Sequence, residues 1–226
     1  MYRLNVFGDE RTLAFCTFCG GDTPTRDHCP SRVLLDEPYP SHLPTVPACA
    51  RCNSRFALDE EYFACLLACS IAGSLDPVKI QRVKVRRILE KKPFLVARLA
   101  AARTSDGDNL SFSVEEARIR NVVTKLAQGH SVYELHDHCF GKPSSIFIQP
   151  FCLMSDSERM RFEAPPASLI FPEVGSGAMQ RFVHADRSAP EWIVVQQGMY
   201  RYLAEPGPNI TIRMAVHEYL ACYVRW

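Results

Sequence analysis

From about Leu58 the apolar positions recur with a helical period. Tyr62, Phe63, Leu66, Leu67 and Ile71 share one face over three turns, and Gly73-Ser74 ends the pattern. Asp76-Pro77 has the form of an N-cap followed by proline at the first helical position, which predicts a basic helix through about Lys92. Pro93 breaks it, and FLVARLAAAR predicts another helical piece before TSDGDN, which reads as a loop. Ser113 and Glu116 have capping-box spacing for a helix through Gln128. Ile119, Val122, Val123 and Leu126 form its inner face, and Gly129 is its expected stop.

Beyond residue 130 the period shortens. SSIFIQPF, EWIVVQQ and GMYRYLA read as strands. NITIRMAV alternates Ile210, Ile212, Met214 and Val216 against Thr211, Arg213 and Ala215, the pattern of a half-buried strand. EPGPN between the last two predicts a hairpin turn. Residues 1–15 read as a short lead-in, and 16–53 show little periodicity. The expected class is α+β: a small unit over 1–75, then a larger body of helices and antiparallel sheet over 76–226.

Composition agrees with a folded soluble chain: 226 residues, 47% hydrophobic, 23% charged. No apolar run approaches a membrane span, and MYRLNVFGDE lacks the form of a secretory signal, so a cytoplasmic location is expected. Net charge is only +1, but residues 77–103 hold nine basic side chains against one acid, Glu90. Such a segment suits a phosphate backbone, although a solvated helix face has the same composition.

Residues 16–53 are too polar to order themselves around a core. They carry Cys16-Thr-Phe-Cys19 and, thirty residues on, Cys49-Ala-Arg-Cys52. Two Cys-x-x-Cys knuckles each present two thiolates from a tight turn and together suit a tetrahedral, structural zinc. Cys65 and Cys69 share a helix face and read as buried apolar residues. His136-Asp137-His138 beside Cys139 reads as a loop.

Between the knuckles lies Asp27-His28-Cys29-Pro30. After the second come Asn53 and the run Asp59-Glu60-Glu61-Tyr62. In this order the pieces resemble the HNH endonucleases, the ββα-metal (His-Me finger) nucleases, in the subgroup whose hairpin is pinned by zinc. The resemblance covers roughly residues 13–70. It implies a metal-dependent endonuclease in which His28 activates water. Asp27 and a helix acid, Glu61 by spacing or Glu60 beside it, would hold one Mg²⁺ or Mn²⁺. Asn53 would brace the loop that carries the base, and Asp59 is a candidate N-cap. The usual third histidine of the family is missing here.

The resemblance further implies that double-stranded DNA is the partner, with the basic segment tracking its backbone; a homodimer is possible. A zinc-knuckle module that binds nucleic acid or protein without catalysis is the alternative.

Overall fold

The computed structural model describes residues 14–22, 25–106, 109–165, 173–185 and 191–226, so the expected lead-in lies almost wholly outside it. The chain is α+β, as the patterning predicts. Strand β1 (Thr25–His28) pairs antiparallel with β2 (Thr45–Ala48), and helices α1 (Ala50–Arg55) and α2 (Ala57–Ala72) follow directly. Gly73 ends α2 in the left-handed conformation, its φ of 59° costing a residue without a Cβ little.

The expected basic helix is shorter. Asp76 does cap a turn, its carboxylate accepting from the Val78 N–H at 3.0 Å, but the turn is a single 3₁₀ one over Pro77–Lys79. Ile80 then leaves the helical path to enter the core, and helix α3 begins only at Val83 and ends at Lys91. Arg86 closes the gap by donating to the Ile80 carbonyl from Nε at 3.1 Å and Nη2 at 2.8 Å. Pro93 opens α4 (Pro93–Ala101) rather than ending structure altogether. The expected loop after it forms the flanks of a hairpin, β3 (Arg103–Asp106) with β4 (Asn109–Phe112).

Helix α5 (Glu116–Leu135) is the central element, and it departs from expectation at both ends. Ser113 makes no cap. Instead the Glu115 N–H, an orphan donor at the helix start, finds the Tyr62 hydroxyl of α2 at 3.1 Å. Gly129 does not stop the helix, which runs six residues further to a left-handed cap at His136 (φ 61°). The stretch from Leu126 to Val132 is buried, because α5 packs against α2, β2 and the large sheet together. Residues 136–140 carry no regular structure, in keeping with the loop reading.

That sheet has the order β5 (Ser145–Pro150), β9 (Leu220–Arg225), β8 (Thr211–Val216), β7 (Tyr200–Glu205), β6 (Ile193–Gln196), antiparallel throughout. Strand β8 is buried on both faces, not one. Helix α6 (Asp156–Glu163) covers the second face, where Phe151, Phe162, Ala215 and Ala221 cluster. One hydrophobic cluster joins Leu34, Leu35 and Tyr62 to Val122, Tyr200 and Met214, so the small unit and the body share a core. No described helix is long and apolar enough to cross a membrane.

Candidate functional site

The first knuckle is built by backbone. The Cys16 N–H donates to Gly21 O at 2.7 Å and the Gly20 N–H to Cys16 O at 2.8 Å, a turn closed by Gly20 at φ 73°. The second knuckle is the start of α1, where the Cys49 sulfur caps the helix by accepting from the Cys52 N–H at 3.3 Å. The Cys49 N–H in turn points at the Cys16 sulfur, 3.2 Å away. All four sulfurs lie within 4.8 Å of one another. Among the described residues this is the one converging group of three or more His, Cys, Asp or Glu ligands.

Four thiols without an open position suit a structural zinc, with Cys16, Cys19, Cys49 and Cys52 as its ligands. The Cys52 N–H bond draws the Cys49 thiol down to about 7, toward the thiolate that a metal needs. Phe18 and Phe56 pack edge to face beneath the cluster, with ring centroids 5.2 Å apart.

The hairpin so pinned leads to the Asp27-His28 pair. Register sets Asp27 opposite Val46 and His28 opposite Thr45, and neighbouring strand residues face opposite ways. Asp27 is buried, whereas His28 is half-buried. Burial pushes the His28 imidazole below its ordinary value of 6.5, and the Arg32 guanidinium adds to this against the opposing pull of Asp27. Asn53 reaches back from α1: its amide approaches Arg26 O at 3.4 Å and Thr25 Oγ1 at 3.5 Å, bracing the strand that carries both residues. Arg26 belongs to the hairpin itself, donating to Thr45 Oγ1 and Thr45 O at 2.9 Å each. Arg32 is exposed, its guanidinium over the Tyr39 ring.

The three acids of α2 diverge. Asp59 lies inside the helix and not at its cap, and is held by Arg118 at 2.9 Å and by the Asn121 amide at 2.7 Å. Glu61, the ligand expected from spacing, is turned away to Lys92, which donates to its two oxygens at 2.6 and 2.9 Å. Glu60 is the acid that faces Asp27, and a side chain missing from the sequence reading stands between them. Lys125 of α5, only 2% exposed, forms an ion pair with Asp27 Oδ2 at 2.7 Å and donates to Ser31 Oγ at 2.9 Å and to Glu60; Ser31 also donates to Glu60. Burial alone would lower the ammonium, but Glu60 and Asp27 together hold it above the ordinary lysine value.

A divalent ion fits this pair poorly. One of its two negative charges is already met by the ammonium. A unit charge 4 Å from another costs about 4 kcal/mol at an effective dielectric of ~20, and a divalent ion beside Lys125 about twice that. The only sequence signal for Lys125 is a lysine flanked by Val122, Val123, Leu126 and Ala127.

Of the remaining cysteines, Cys29, Cys65 and Cys69 are enclosed in the protein. Cys65 and Cys69 are buried in the core, which pushes their thiols up to about 12 and about 11. Cys29, beside His28, is likewise buried and raised. Of the basic segment, Arg82, Lys84, Arg86, Lys92 and Arg98 bond within the chain. Lys79, Arg87, Lys91 and Arg103 are exposed. Compared with family models, curated proteins and solved structures, the chain matches none.

Proposed function

We propose that the protein hydrolyses phosphodiester bonds in nucleic acid, as an endonuclease of the HNH type acting on double-stranded DNA. One observation carries the reading. A Cys₄-pinned hairpin presents His28 on a strand that Asn53 braces from the following helix, while the neighbouring Asp27 is turned inward and neutralised. His28, kept uncharged near neutral pH by burial and Arg32, takes a proton from water. The oxygen of that water attacks phosphorus, the bond to the 3′ oxygen breaks, and the leaving oxygen takes a proton from solvent. Arg32, exposed beside His28, supplies donors for the phosphate oxygens. Lys79, Arg87, Lys91 and Arg103 supply a backbone contact that weakens with salt. Zinc on the four cysteines is structural. Mg²⁺ or Mn²⁺ on Asp27 has no part in this reading, because that carboxylate is held by Lys125.

A second reading, a nucleic-acid-binding module without catalysis, draws on the same occupied acid pair and on the internal bonding of much of the basic segment. Supercoiled plasmid incubated with wild type and His28→Ala separates the two. Nicking lost in the mutant supports the nuclease; salt-sensitive binding with no nicking by either protein supports the module.

A further inference from the structure

We propose that Lys125 is the resident cation of the Asp27–Glu60 pair: its ammonium holds, from within the chain, the place that the HNH resemblance gives to a divalent ion. Any hydrolysis at His28 therefore proceeds with no divalent metal on that pair. This second step rests on the nuclease reading; the first does not.

The surroundings are those of an ammonium. It donates to Ser31 Oγ and to Glu60, and Asp27 Oδ2 lies 2.7 Å from its nitrogen as the second half of the ion pair. The Phe18 and Phe56 rings flank it, at 5.8 and 5.5 Å from the nitrogen to their centroids. Mg²⁺ demands a near-octahedral shell and keeps several waters, which a largely buried acid pair with an ammonium between its carboxylates does not supply. The ammonium also ties three elements at one point, since Asp27 is on β1, Glu60 on α2 and Lys125 on α5. Lys125 is thus a positioning residue: it fixes the strand that carries His28 and, buried between the two acids, does not itself reach a substrate.

The test has a binding arm and a cleavage arm, both on the full chain in divalent-depleted buffer with bound zinc verified. In the binding arm, Mn²⁺ is titrated to ~1 mM, the weak end of carboxylate sites, and followed by electron paramagnetic resonance. Wild type should bind no more than Asp27→Asn. Lys125→Met should gain one site, lost again in Lys125→Met/Asp27→Asn. A wild-type Mn²⁺ site abolished by Asp27→Asn overturns the proposal, and this comparison decides it even where Lys125→Met fails to fold.

In the cleavage arm, wild type should nick plasmid equally with and without Mg²⁺, and His28→Ala should not nick. A Mg²⁺ dependence of ~10²-fold or more, the scale of losing a charge-stabilising group, overturns the metal-free step. If no condition gives nicking, the nuclease reading falls, while the Mn²⁺ result still decides what occupies the acid pair.

Discussion

Cys19 and Cys49 hold their sulfurs 3.8 Å apart, nearly twice a disulfide bond and close to the edge of a tetrahedron of thiolates ~2.3 Å from one zinc. The segment they close enters the core through Leu34, Leu35, Val46 and Ala48, and a zinc on the four thiols would tie down its polar ends. Purified protein should contain one zinc per chain by elemental analysis, and Cys49→Ser should contain none. Loss of several kcal/mol of binding energy should lower the melting temperature by ~10 °C or more. In hydrogen exchange, β1 and β2 should lose protection before β7, β8 and β9. An unchanged melting curve after complete zinc removal would count against a structural role.

Arg82 fastens the loop between β1 and β2 to the start of α3. Its Nε donates to Asp36 Oδ1 at 2.8 Å, and Nη2 donates to Val33 O at 3.0 Å and Leu35 O at 2.9 Å. Arg82→Met should cost about 2–4 kcal/mol in urea denaturation, because the carbonyls of the flanking chain lose a charged donor. Arg82→Lys should recover less than half of that, since one ammonium on a flexible stem cannot span three acceptors fixed for a planar fork. Full rescue by lysine would mean that charge alone holds the loop.

What was legible in the sequence was mostly local. The two knuckles, helix α2 and four of the five strands of the large sheet follow from spacing and period, which a single segment carries by itself. Yet α2 is buried all round from Tyr62 to Cys69, and Ile71, expected on its inner face, is exposed. What escaped depends on partners far along the chain. Arg213 alternates with apolar residues and so reads as facing solvent. In the fold, however, its Nη1 donates at 2.6 Å to the carbonyls of Phe162 and Ala164 at the end of α6, and its Nε to Glu205 at 2.6 Å. Lys125 escaped for the same reason, because its acids lie 65 and 98 positions away. Glu60 and Glu61 are neighbours that spacing could not tell apart; Lys92 and Lys125, one on each side of α2, separate them.

Gly129 shows a residue type with two meanings. Read as a stop, it is in fact a close approach of α5 to the residue that follows β1: a Cβ there would stand 2.6 Å from the Cys29 sulfur and 3.2 Å from its Cβ. Alanine is the better helix former by about 1 kcal/mol, yet Gly129→Ala should destabilise by ~1–3 kcal/mol, the usual cost of overpacking. Cys29→Ala removes the closest of these contacts, so the double variant should recover much of the loss. The coupling in a double-mutant cycle should be at least about 1 kcal/mol. If Gly129→Ala raises stability instead, α5 does not approach the hairpin this closely.

One buried and one half-buried histidine set the acid sensitivity of the body. His130 is stacked on Tyr202 with centroids 3.7 Å apart and is bonded to the Tyr200 hydroxyl at 2.8 Å. Burial lowers it from 6.5 to about 3. His217 donates from Nε2 to Leu34 O at 3.1 Å, and burial with the nearby Arg82 lowers it from 6.5 to about 4. Both bind fewer protons folded than unfolded below pH 6.5. Stability is therefore complete above that value and falls as pH drops toward the folded values. Each should contribute a loss on the order of 1 kcal/mol per pH unit. Between pH 6.5 and 5, above the ordinary carboxylate range, the histidines dominate the slope. Urea midpoints at pH 7, 6 and 5 should therefore decline for wild type. His130→Gln, which keeps a polar partner for Tyr200 but cannot titrate, should decline less by about one proton's worth. Equal slopes would show that His130 is protonated in the folded protein, against its complete enclosure by the sheet and α5.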